Sequence, residues 1–335
     1  MRRAVLIATA ALSLGAVSAA LANDGVAETS AGGLVLKQTD DIDMLSEDLY
    51  VSARQVRVRY VFRNQRPQDV RVTVAFPMPD RDLSELRYES IAYPADFTTR
   101  VDGQPVRMQV ERKAMARGVD QSRLLESLGI PIVMMGESDE LSARFERLRP
   151  EQRRQLIDLG LIEGSDYDMG HGMRTYYEPT WTVKETWYWE QVFPAGRDLV
   201  VEHEYTPGTG VSVGTSLAFP DFRDSEDNRR TMTEFCVDRD FLAAVDRMSG
   251  RSTREEPALL GEQRIRYVLT TGAGWRSPIG DFRLVVDKGR PENIVSFCEE
   301  GVRRISPTQF EVRHRNWRPT RDLAVLIVQP HRDVE

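Results

Sequence analysis

The alternation of apolar and polar side chains over short segments is the feature that most limits what this chain can fold into. Residues 55–63 and 70–76 each carry an apolar residue at every second position, with polar residues between them. Successive side chains of a β-strand point to opposite faces of a sheet, so each segment has one face for a core and one for solvent. The pattern predicts a mainly β, α+β protein whose main body is an antiparallel β-sandwich.

Short turn-forming segments separate the predicted strands of the first two thirds of the chain, at residues 64–69, 102–103 and 194–196. Asp102-Gly103 is the clearest of them, because these residue types accept the positive φ angles of a tight turn. We therefore expect a hairpin at each of the three. The strand pattern returns in four later segments, at residues 265–269, 282–286, 310–312 and 323–328.

The apolar period changes to a helical one between about residues 120 and 160, as shown by Leu124, Leu125, Leu128, Leu141, Phe145 and Leu148. Pro150 suits the first turn of a last helix, which Gly160 ends. We predict a small helical insertion around residues 120–160 that interrupts the β domain. Residues 130–135 are continuously apolar and are expected to pack the insertion onto the sheet; alternatively, they line a ligand or partner surface.

Three polar or less regular segments complete the assignment. Residues 164–172 are rich in glycine and aspartate, and residues 221–230 are highly polar, so both are predicted to be loops. Residues 241–248 have room for one helix.

The first 22 residues have the three parts of a secretory signal peptide. Arg2 and Arg3 precede an uncharged apolar run, and Ala20-Leu21-Ala22 forms an A-x-A cleavage site. We expect cleavage after Ala22 and a periplasmic or secreted protein without an integral membrane segment; the alternative is an uncleaved N-terminal anchor. The predicted division is a signal peptide at 1–22, a β-sandwich domain at 23–220 with a helical insertion at 116–172, and a C-terminal β-rich region at 221–335, which could pack as part of the same domain.

Charge and cysteine content limit the partners and the compartment. The net charge of −7 becomes −9 once Arg2 and Arg3 are removed, so no nucleic-acid partner is expected. Cys236 and Cys298 are the two cysteines of the chain. An even pair in an exported protein predicts a disulfide, with two buried thiols as the alternative.

Several segments together carry a family resemblance: ND at 23–24, GGL at 32–34, SEDLY at 46–50, VTVAFPMP at 72–79, FPAG at 193–196, TTGAGW at 270–275 and FRLVVDKG at 282–289. The chain resembles a bacterial exported family catalogued as a domain of unknown function (DUF 4424), over nearly all of its mature length. The resemblance implies an envelope protein with an immunoglobulin-like β-sandwich component. It implies no activity, substrate or catalytic residues.

Aromatic residues are the best candidates for ligand contact, because flat indole faces stack on sugars while their N–H groups donate hydrogen bonds. Tentative ligand-binding residues are Trp187, Trp189, Trp275 and His203. The competing interpretation puts Trp187 and Trp189 in the core, since they share strand parity, and makes His203 a packed histidine. Trp275 and Trp317 lie near glycine or proline and are expected to be exposed.

No catalytic, cofactor or metal motif stands out, so we assign no such residues. The favoured function is a non-enzymatic envelope module that binds a small ligand, a glycan or an envelope protein. An envelope hydrolase acting on glycans or peptides is the first alternative, and it would draw on Glu185, Glu190, Glu202, Glu204 or His203. A structural or assembly role, with residues 130–135 docking a partner, is the second.

Overall fold

The computed structural model describes residues 24–30, 33–87, 90–91, 94–134, 138–168, 172–212, 214–250 and 260–330. The predicted signal peptide lies outside these ranges, and so does Met135 at the end of the apolar segment of the insertion.

The described residues form 22 strands and five α-helices. The strands of the first half are β1 (Gly25–Ser30), β2 (Gly33–Lys37), β3 (Ile42–Ser52), β4 (Val56–Asn64), β5 (Val70–Pro77), β6 (Arg81–Asp82), β7 (Ser90–Ile91), β8 (Ala95–Val101), β9 (Gln104–Pro105), β10 (Gln109–Ala116) and β11 (Val119–Asp120). Those of the second half are β12 (Ile162–Asp168), β13 (Met173–Pro179), β14 (Thr182–Phe193), β15 (Asp198–Thr206), β16 (Thr209–Ser212), β17 (Leu260–Tyr267), β18 (Ile279–Asp287), β19 (Ile294–Phe297), β20 (Arg303–Arg304), β21 (Gln309–Trp317) and β22 (Leu323–Pro330). The helices are α1 (Ser122–Ser127), α2 (Ser138–Glu146), α3 (Pro150–Asp158), α4 (Glu226–Glu234) and α5 (Arg239–Ser249).

Three sheets and one separate hairpin organise these strands. Sheet A has the order β11-β10-β14-β5-β1-β2, with β6 also paired to β14. Sheet B has the order β20-β21-β18-β3-β4-β15-β8-β9, and sheet C has the order β19-β22-β17-β16-β7. The hairpin joins β12 to β13. The mainly β, α+β class predicted from the alternation is confirmed, whereas the immunoglobulin-like arrangement stays a prediction.

The inward faces of the three sheets share one apolar core. Sheet A contributes Phe76, sheet B contributes Tyr60 and Phe62, and sheet C contributes Tyr267 and Val325, all at most 1% exposed. In β15 the buried positions alternate with outward ones, as the sequence pattern predicts. The polar side chains of each alternating strand therefore lie on the outward face of its sheet.

The three predicted hairpins are largely wrong, because the chain passes from one sheet to the other at these points. β4 and β15 belong to sheet B, whereas β5 and β14, which they were expected to pair with, belong to sheet A. The Asp102-Gly103 turn does form, with φ of 47° and 77°, but its return strand β9 has two residues before the chain crosses to β10. Alternation determines which face of a strand is buried, but it does not determine the neighbouring strand.

The two segments that connect the sheets, one after β4 and one after β14, lie side by side and are joined by hydrogen bonds. The Asn64 side-chain amide donates to the backbone carbonyl oxygens of Gln68 and Phe193, at 2.9 Å in both cases. Asp69 Oδ1 accepts from the backbone N–H of Ala195, also at 2.9 Å. Polar loop residues thus satisfy the backbone groups that the sheets leave unpaired.

The helical insertion forms as predicted and packs on one end of sheet A. Ile130 and Met134 are buried with Phe145 and Trp181 in a second core. Trp181 Nε1 donates to the carbonyl oxygen of Ile132 at 2.9 Å, which holds the insertion against the residue that directly precedes β14. The predicted loop at residues 164–172 is wrong over much of its length, since residues 164–168 belong to β12 and pair with β13.

The last third of the chain is joined to the first through sheet B. β18 pairs in parallel with β3, so this pair departs from the antiparallel prediction. At the bulge of β3 the carbonyl oxygen of Leu45 approaches Gly280 so closely that a Cβ there would lie 2.5 Å from it. The disulfide Cys236–Cys298 is present. The polar segment at 221–230 is not simply a loop, because α4 begins within it and the Ser225 hydroxyl caps this helix by accepting a hydrogen bond from the Asn228 N–H.

Candidate functional site

The tryptophans singled out from the sequence lie in or against the core. Trp189 and Trp275 are each 2% exposed, so the expectation of an exposed Trp275 is wrong. Its indole Nε1 donates to the backbone carbonyl oxygen of Asp24 at 2.7 Å, which accounts for its burial beside glycine. Trp187 is half-buried and stacks on Phe97, with ring centroids 5.0 Å apart. Trp317, expected to be exposed, is half-buried at the end of β21.

His203 is also buried, with 2% of its surface exposed, as the packed-histidine interpretation predicts. Its Nδ1 is 2.8 Å from Thr99 Oγ1, and its Nε2 is 3.1 Å from Asp24 Oδ1. Asp24 has no exposed surface. Burial raises the pKa of the Asp24 carboxyl, and contact with His203 acts in the opposite direction. Thr99, His203 and Asp24 form a polar chain whose side chains are buried, and His203 also borders a groove on the outer face of sheet B.

The outward face of sheet B instead carries an open, polar groove of about 620 Å³. We call it the sheet B groove. It crosses the five strands β18, β3, β4, β15 and β8 and reaches Gln309 at the start of β21. Most of its outward side chains form two rows that run across the strands. A twisted sheet presents such a concave face when no helix or second sheet covers it.

The first row consists of alternating charges in matched register. Cross-strand pairing places opposite one another, in order across the sheet, Arg283, Asp48, Arg59, Glu202 and Arg100. Arg283 Nη1 lies 3.1 Å from Asp48 Oδ1, and Arg59 Nε lies 3.8 Å from Glu202 Oε1. Directly opposed charges stabilise the strand register, and their outer donor and acceptor groups stay open to solvent.

The second row is more varied and contains an aromatic ring. Its members, in order across the sheet, are Val285, Tyr50, Arg57, Glu204 and Thr98. The Arg57 guanidinium lies over the Tyr50 ring, 4.6 Å from its centroid. Glu204 Oε1 accepts from Gln55 Nε2 at 2.7 Å. Burial and the neighbouring Asp287 raise the pKa of Tyr50, so its hydroxyl is a neutral donor at physiological pH.

A second cavity of about 730 Å³ adjoins the sheet B groove at Tyr50. Its lining includes Arg54, Asp287 and Lys288. Asp287 Oδ2 accepts from the Tyr50 hydroxyl at 3.1 Å, so the tyrosine is held at the junction of the two cavities. A ligand that fills both would be elongated and would pass Tyr50 near its middle.

Arginine donors hold Glu311 at the far edge of sheet B, next to the groove. Arg283 Nε donates to Glu311 Oε1 at 2.8 Å, and Arg303 and Arg313 add further contacts. These hydrogen bonds lower the pKa of Glu311 to about 2. Arg283 therefore joins the first row of the groove to a permanently charged carboxylate.

The carboxylates named for a hydrolase do not meet in one site. Glu202 and Glu204 lie on sheet B, whereas Glu185 and Glu190 lie on β14 of sheet A. Glu185 is 5% exposed and accepts from Arg112 Nε at 2.6 Å. β14 and β15 follow one another in the chain, and the segment between them resembles a hairpin turn. That segment instead connects two sheets, so the two strands do not pair.

Groups of three or more His, Cys, Asp or Glu side chains arranged to hold a metal are absent from the ranges that the structure describes. Within those same ranges, every helix is too short or too polar to span a bilayer.

Alternation identifies four members of the groove, one strand at a time, and does not identify Asp48, Tyr50, Arg100 or Arg283. The outward placement of Arg57 and Arg59, and of Glu202 and Glu204, follows from the alternation of β4 and β15. What makes them one site is the register of β4 against β15 and of β3 against β18. A search for charged outward positions on several strands would have identified the members, without their order.

A family model described as a domain of unknown function, DUF4424, matches residues 22–326. The chain matches none of the curated proteins. One similar solved structure, from Legionella pneumophila subsp. pneumophila str. Philadelphia 1, is described as a "putative nutrient binding protein". It is 15% identical with a TM-score of 0.43, over 91% of this chain and 72% of that chain, and the likeness carries no argument about function.

Proposed function

The chain belongs to the DUF4424 family, and we propose that it is an exported, non-enzymatic envelope module that binds a hydroxyl-rich glycan in the sheet B groove. The observation that carries this proposal is the pair of rows that cross five strands in register. Export is proposed from the signal-peptide pattern of the first 22 residues.

The charge balance of the groove favours a neutral polar ligand. Four arginines and three carboxylates line it, and most of them stand beside a partner of opposite charge. A strongly anionic or cationic ligand would meet as much repulsion as attraction there. Sugar hydroxyls both donate and accept, so they suit a surface on which guanidinium donors alternate with carboxylate acceptors, and hydrogen bonds to charged groups are the stronger ones.

Size and aromatic content agree with this ligand class. Small-ligand sites commonly measure about 300–1,000 Å³, a range that includes the sheet B groove. Tyr50 adds an aromatic ring between the two cavities, and its hydroxyl oxygen is left to accept a hydrogen bond because its proton is donated to Asp287. The continuation past Tyr50 favours a chain of several sugar units over a single one.

The test is binding of the mature chain, residues 23–335, to an array of neutral bacterial-surface oligosaccharides, followed by calorimetry with the best binder. Arg59→Ala and Glu202→Ala, made separately, should each weaken binding about tenfold or more, since each removes a charged hydrogen-bonding group. Arg71→Ala is the matched control, because this exposed arginine lies on sheet A. It should leave the affinity unchanged.

Three results would contradict the proposal. They are the absence of binding to every oligosaccharide, an equal loss of affinity in Arg71→Ala, and binding of unglycosylated peptides in place of glycans. Mass spectrometry of the bound oligosaccharide distinguishes the hydrolase alternative, since a shortened product that is absent with Glu202→Ala would show that the groove cleaves its ligand.

A further inference from the structure

The second cavity, which adjoins the sheet B groove at Tyr50, differs from the groove in its charge. Three cationic side chains line it, those of Arg54, Lys288 and Arg290, and Asp287 is the one carboxylate among the described residues of its lining. In the groove, by contrast, most charges stand beside an opposite one. The chain as a whole has a net charge of −7, so this local surplus of positive charge sets the cavity apart and favours an anionic ligand group.

The carboxylate of Asp287 is largely occupied by donors of the protein. Its Oδ1 accepts from the backbone N–H of Gly289 at 2.8 Å. Its Oδ2 accepts from Gln309 Nε2 at 2.9 Å and from the Tyr50 hydroxyl at 3.1 Å. Three of its roughly four acceptor positions are thus in use, so the cationic side chains are the charged groups left to contact a ligand.

Two further charges act on Lys288 without lining the cavity, those of Glu292 and Arg304. They are opposite in sign, so their effects on Lys288 oppose each other. The positive surplus of the cavity therefore remains.

Arg54 is exposed and stands on the tight turn between β3 and β4. The Ser52 hydroxyl accepts from the backbone N–H groups of Arg54 and Gln55, at 3.3 and 3.0 Å, and donates to the Gln55 carbonyl oxygen at 3.0 Å. These hydrogen bonds fix the backbone of the turn. The Arg54 guanidinium has no ion-pair or hydrogen-bond partner among the residues that the structure describes.

Arg290 is exposed on a second turn, between β18 and β19, which is built around Lys288. Lys288 Nζ donates to the carbonyl oxygen of Pro291 at 2.8 Å and to that of Asn293, and Asn293 Nδ2 donates back to the Lys288 carbonyl oxygen at 2.8 Å. Lys288 and Asn293 are 8% and 4% exposed, so water has little access to this network, which makes the turn rigid. The Arg290 guanidinium, like that of Arg54, is without a partner in the described part of the chain.

The rest of the lining suits a sugar that carries the anion better than it suits a free ion. The half-buried side chains of Gln263 and Gln329 line the cavity, and an amide both donates and accepts hydrogen bonds, as sugar hydroxyls do. With about 730 Å³ the cavity is also much larger than a carboxylate or a phosphate group. Both cavities share Tyr50 in their lining, so a chain of sugars would extend from one into the other.

We propose that the second cavity binds an oxyanion, a carboxylate or a phosphate group, carried by the glycan whose neutral part lies in the sheet B groove. Planar guanidinium groups bind both oxyanions through paired N–H donors, and Arg54 and Arg290 present two such groups from fixed turns. The inference rests on the proposed function for the sugar part of the ligand. It adds to that ligand an acidic group beyond Tyr50.

The experiment titrates three probes onto the mature chain, residues 23–335, by ligand-observed NMR: glucose, glucuronic acid and glucose 6-phosphate. The probes share one sugar ring, so a difference in affinity reports the charged group. At least one acidic sugar should bind about tenfold or more tightly than glucose, and its affinity should fall as the salt concentration rises from about 50 to about 500 mM. The acidic sugar that binds more tightly identifies the oxyanion as a carboxylate or a phosphate.

Arg54→Gln and Arg290→Gln, made separately, should each weaken binding of the acidic sugar about fivefold or more, because each removes a charged donor. Both positions are exposed and lie on turns, so the variants should keep the wild-type Tm. Arg71→Gln is the matched control, since this exposed arginine lies on sheet A, and it should retain full affinity.

Equal affinity for glucose and for both acidic sugars, or an equal loss in Arg71→Gln, would overturn the oxyanion site. Inorganic phosphate that binds as tightly as glucose 6-phosphate would overturn the sugar as the carrier. The two proposals fail separately. Acidic sugars bound through Arg54 and Arg290, with no neutral oligosaccharide bound by the chain, would contradict the proposed function and leave the oxyanion site standing. Neutral oligosaccharides bound without any gain from an acidic group would contradict the oxyanion site alone.

Discussion

Replacement of Glu311 by glutamine tests the electrostatics of sheet B most directly. The carboxylate is 5% exposed and receives hydrogen bonds from three arginines. These bonds lower its pKa from an ordinary 4.5 to about 2. Because the pKa is lower in the folded chain, the ionised form stabilises the fold.

The size of this effect follows from the pKa shift and from the exposure of the partners. A shift from 4.5 to about 2 corresponds to at most about 3 kcal/mol, at 1.36 kcal/mol per unit. The side chains of Arg303 and Arg313 are 71% and 54% exposed, so solvent screens their share. We therefore expect Glu311→Gln to lower the free energy of unfolding by about 1–2 kcal/mol at neutral pH.

The pH dependence has a definite sign. The contribution of Glu311 is fully present above the unfolded pKa near 4.5 and is lost as the pH falls through the folded value of about 2. Urea unfolding of both chains from neutral pH down to about pH 3 should therefore show their difference shrinking with acidity. Glu226→Gln is the control, since this exposed carboxylate pairs with Arg230 on α4 and its removal should have little effect. A difference between wild type and Glu311→Gln that is constant across this range, or no larger than that of the control, would refute the reasoning.

Three further variants test the packing. The double replacement of Cys236 and Cys298 by alanine should lower the free energy of unfolding by about 4 kcal/mol in the chain-entropy model, because the disulfide spans 62 residues; urea unfolding measures this, and an unchanged midpoint would contradict it. Gly280→Ala should lower the free energy of unfolding by about 2–4 kcal/mol, since the added Cβ meets the Leu45 carbonyl oxygen. A Tm equal to that of the wild type would show that β3 and β18 move apart without loss of stability, and would contradict this expectation. Trp181→Ala should cost about 3–5 kcal/mol and increase proteolysis within the insertion first, whereas uniform proteolysis would argue against a separate second core.

The local features of the fold were predictable because they depend on neighbouring residues. The inward face of β15, with Val201, His203 and Tyr205, follows from alternation alone. The ends of α1 and α3 follow from Gly129 and Gly160, whose φ angles of 67° and 71° suit a glycine beyond a helix C-terminus.

The long-range features were not predictable from one sequence. β4 and β5 have equally good alternation, and no local residue shows that the loop between them changes sheets. Trp275 seemed a loop residue because of Gly274, yet a backbone acceptor 251 positions away draws it into the core. The order of charges in the sheet B groove likewise depends on strand register, which a single chain does not encode locally.

The parallel pairing of β3 with β18 has a consequence for how the chain acquires its structure. Arg283 contacts Asp48, which precedes it by 235 residues. Sheet B is therefore incomplete until most of the polypeptide has been synthesised, and its high contact order predicts slow folding. An exported chain that threads through a narrow translocation channel must remain unfolded during passage. The export that we propose fits this topology, because closure of the largest sheet waits for strands from the last third of the chain.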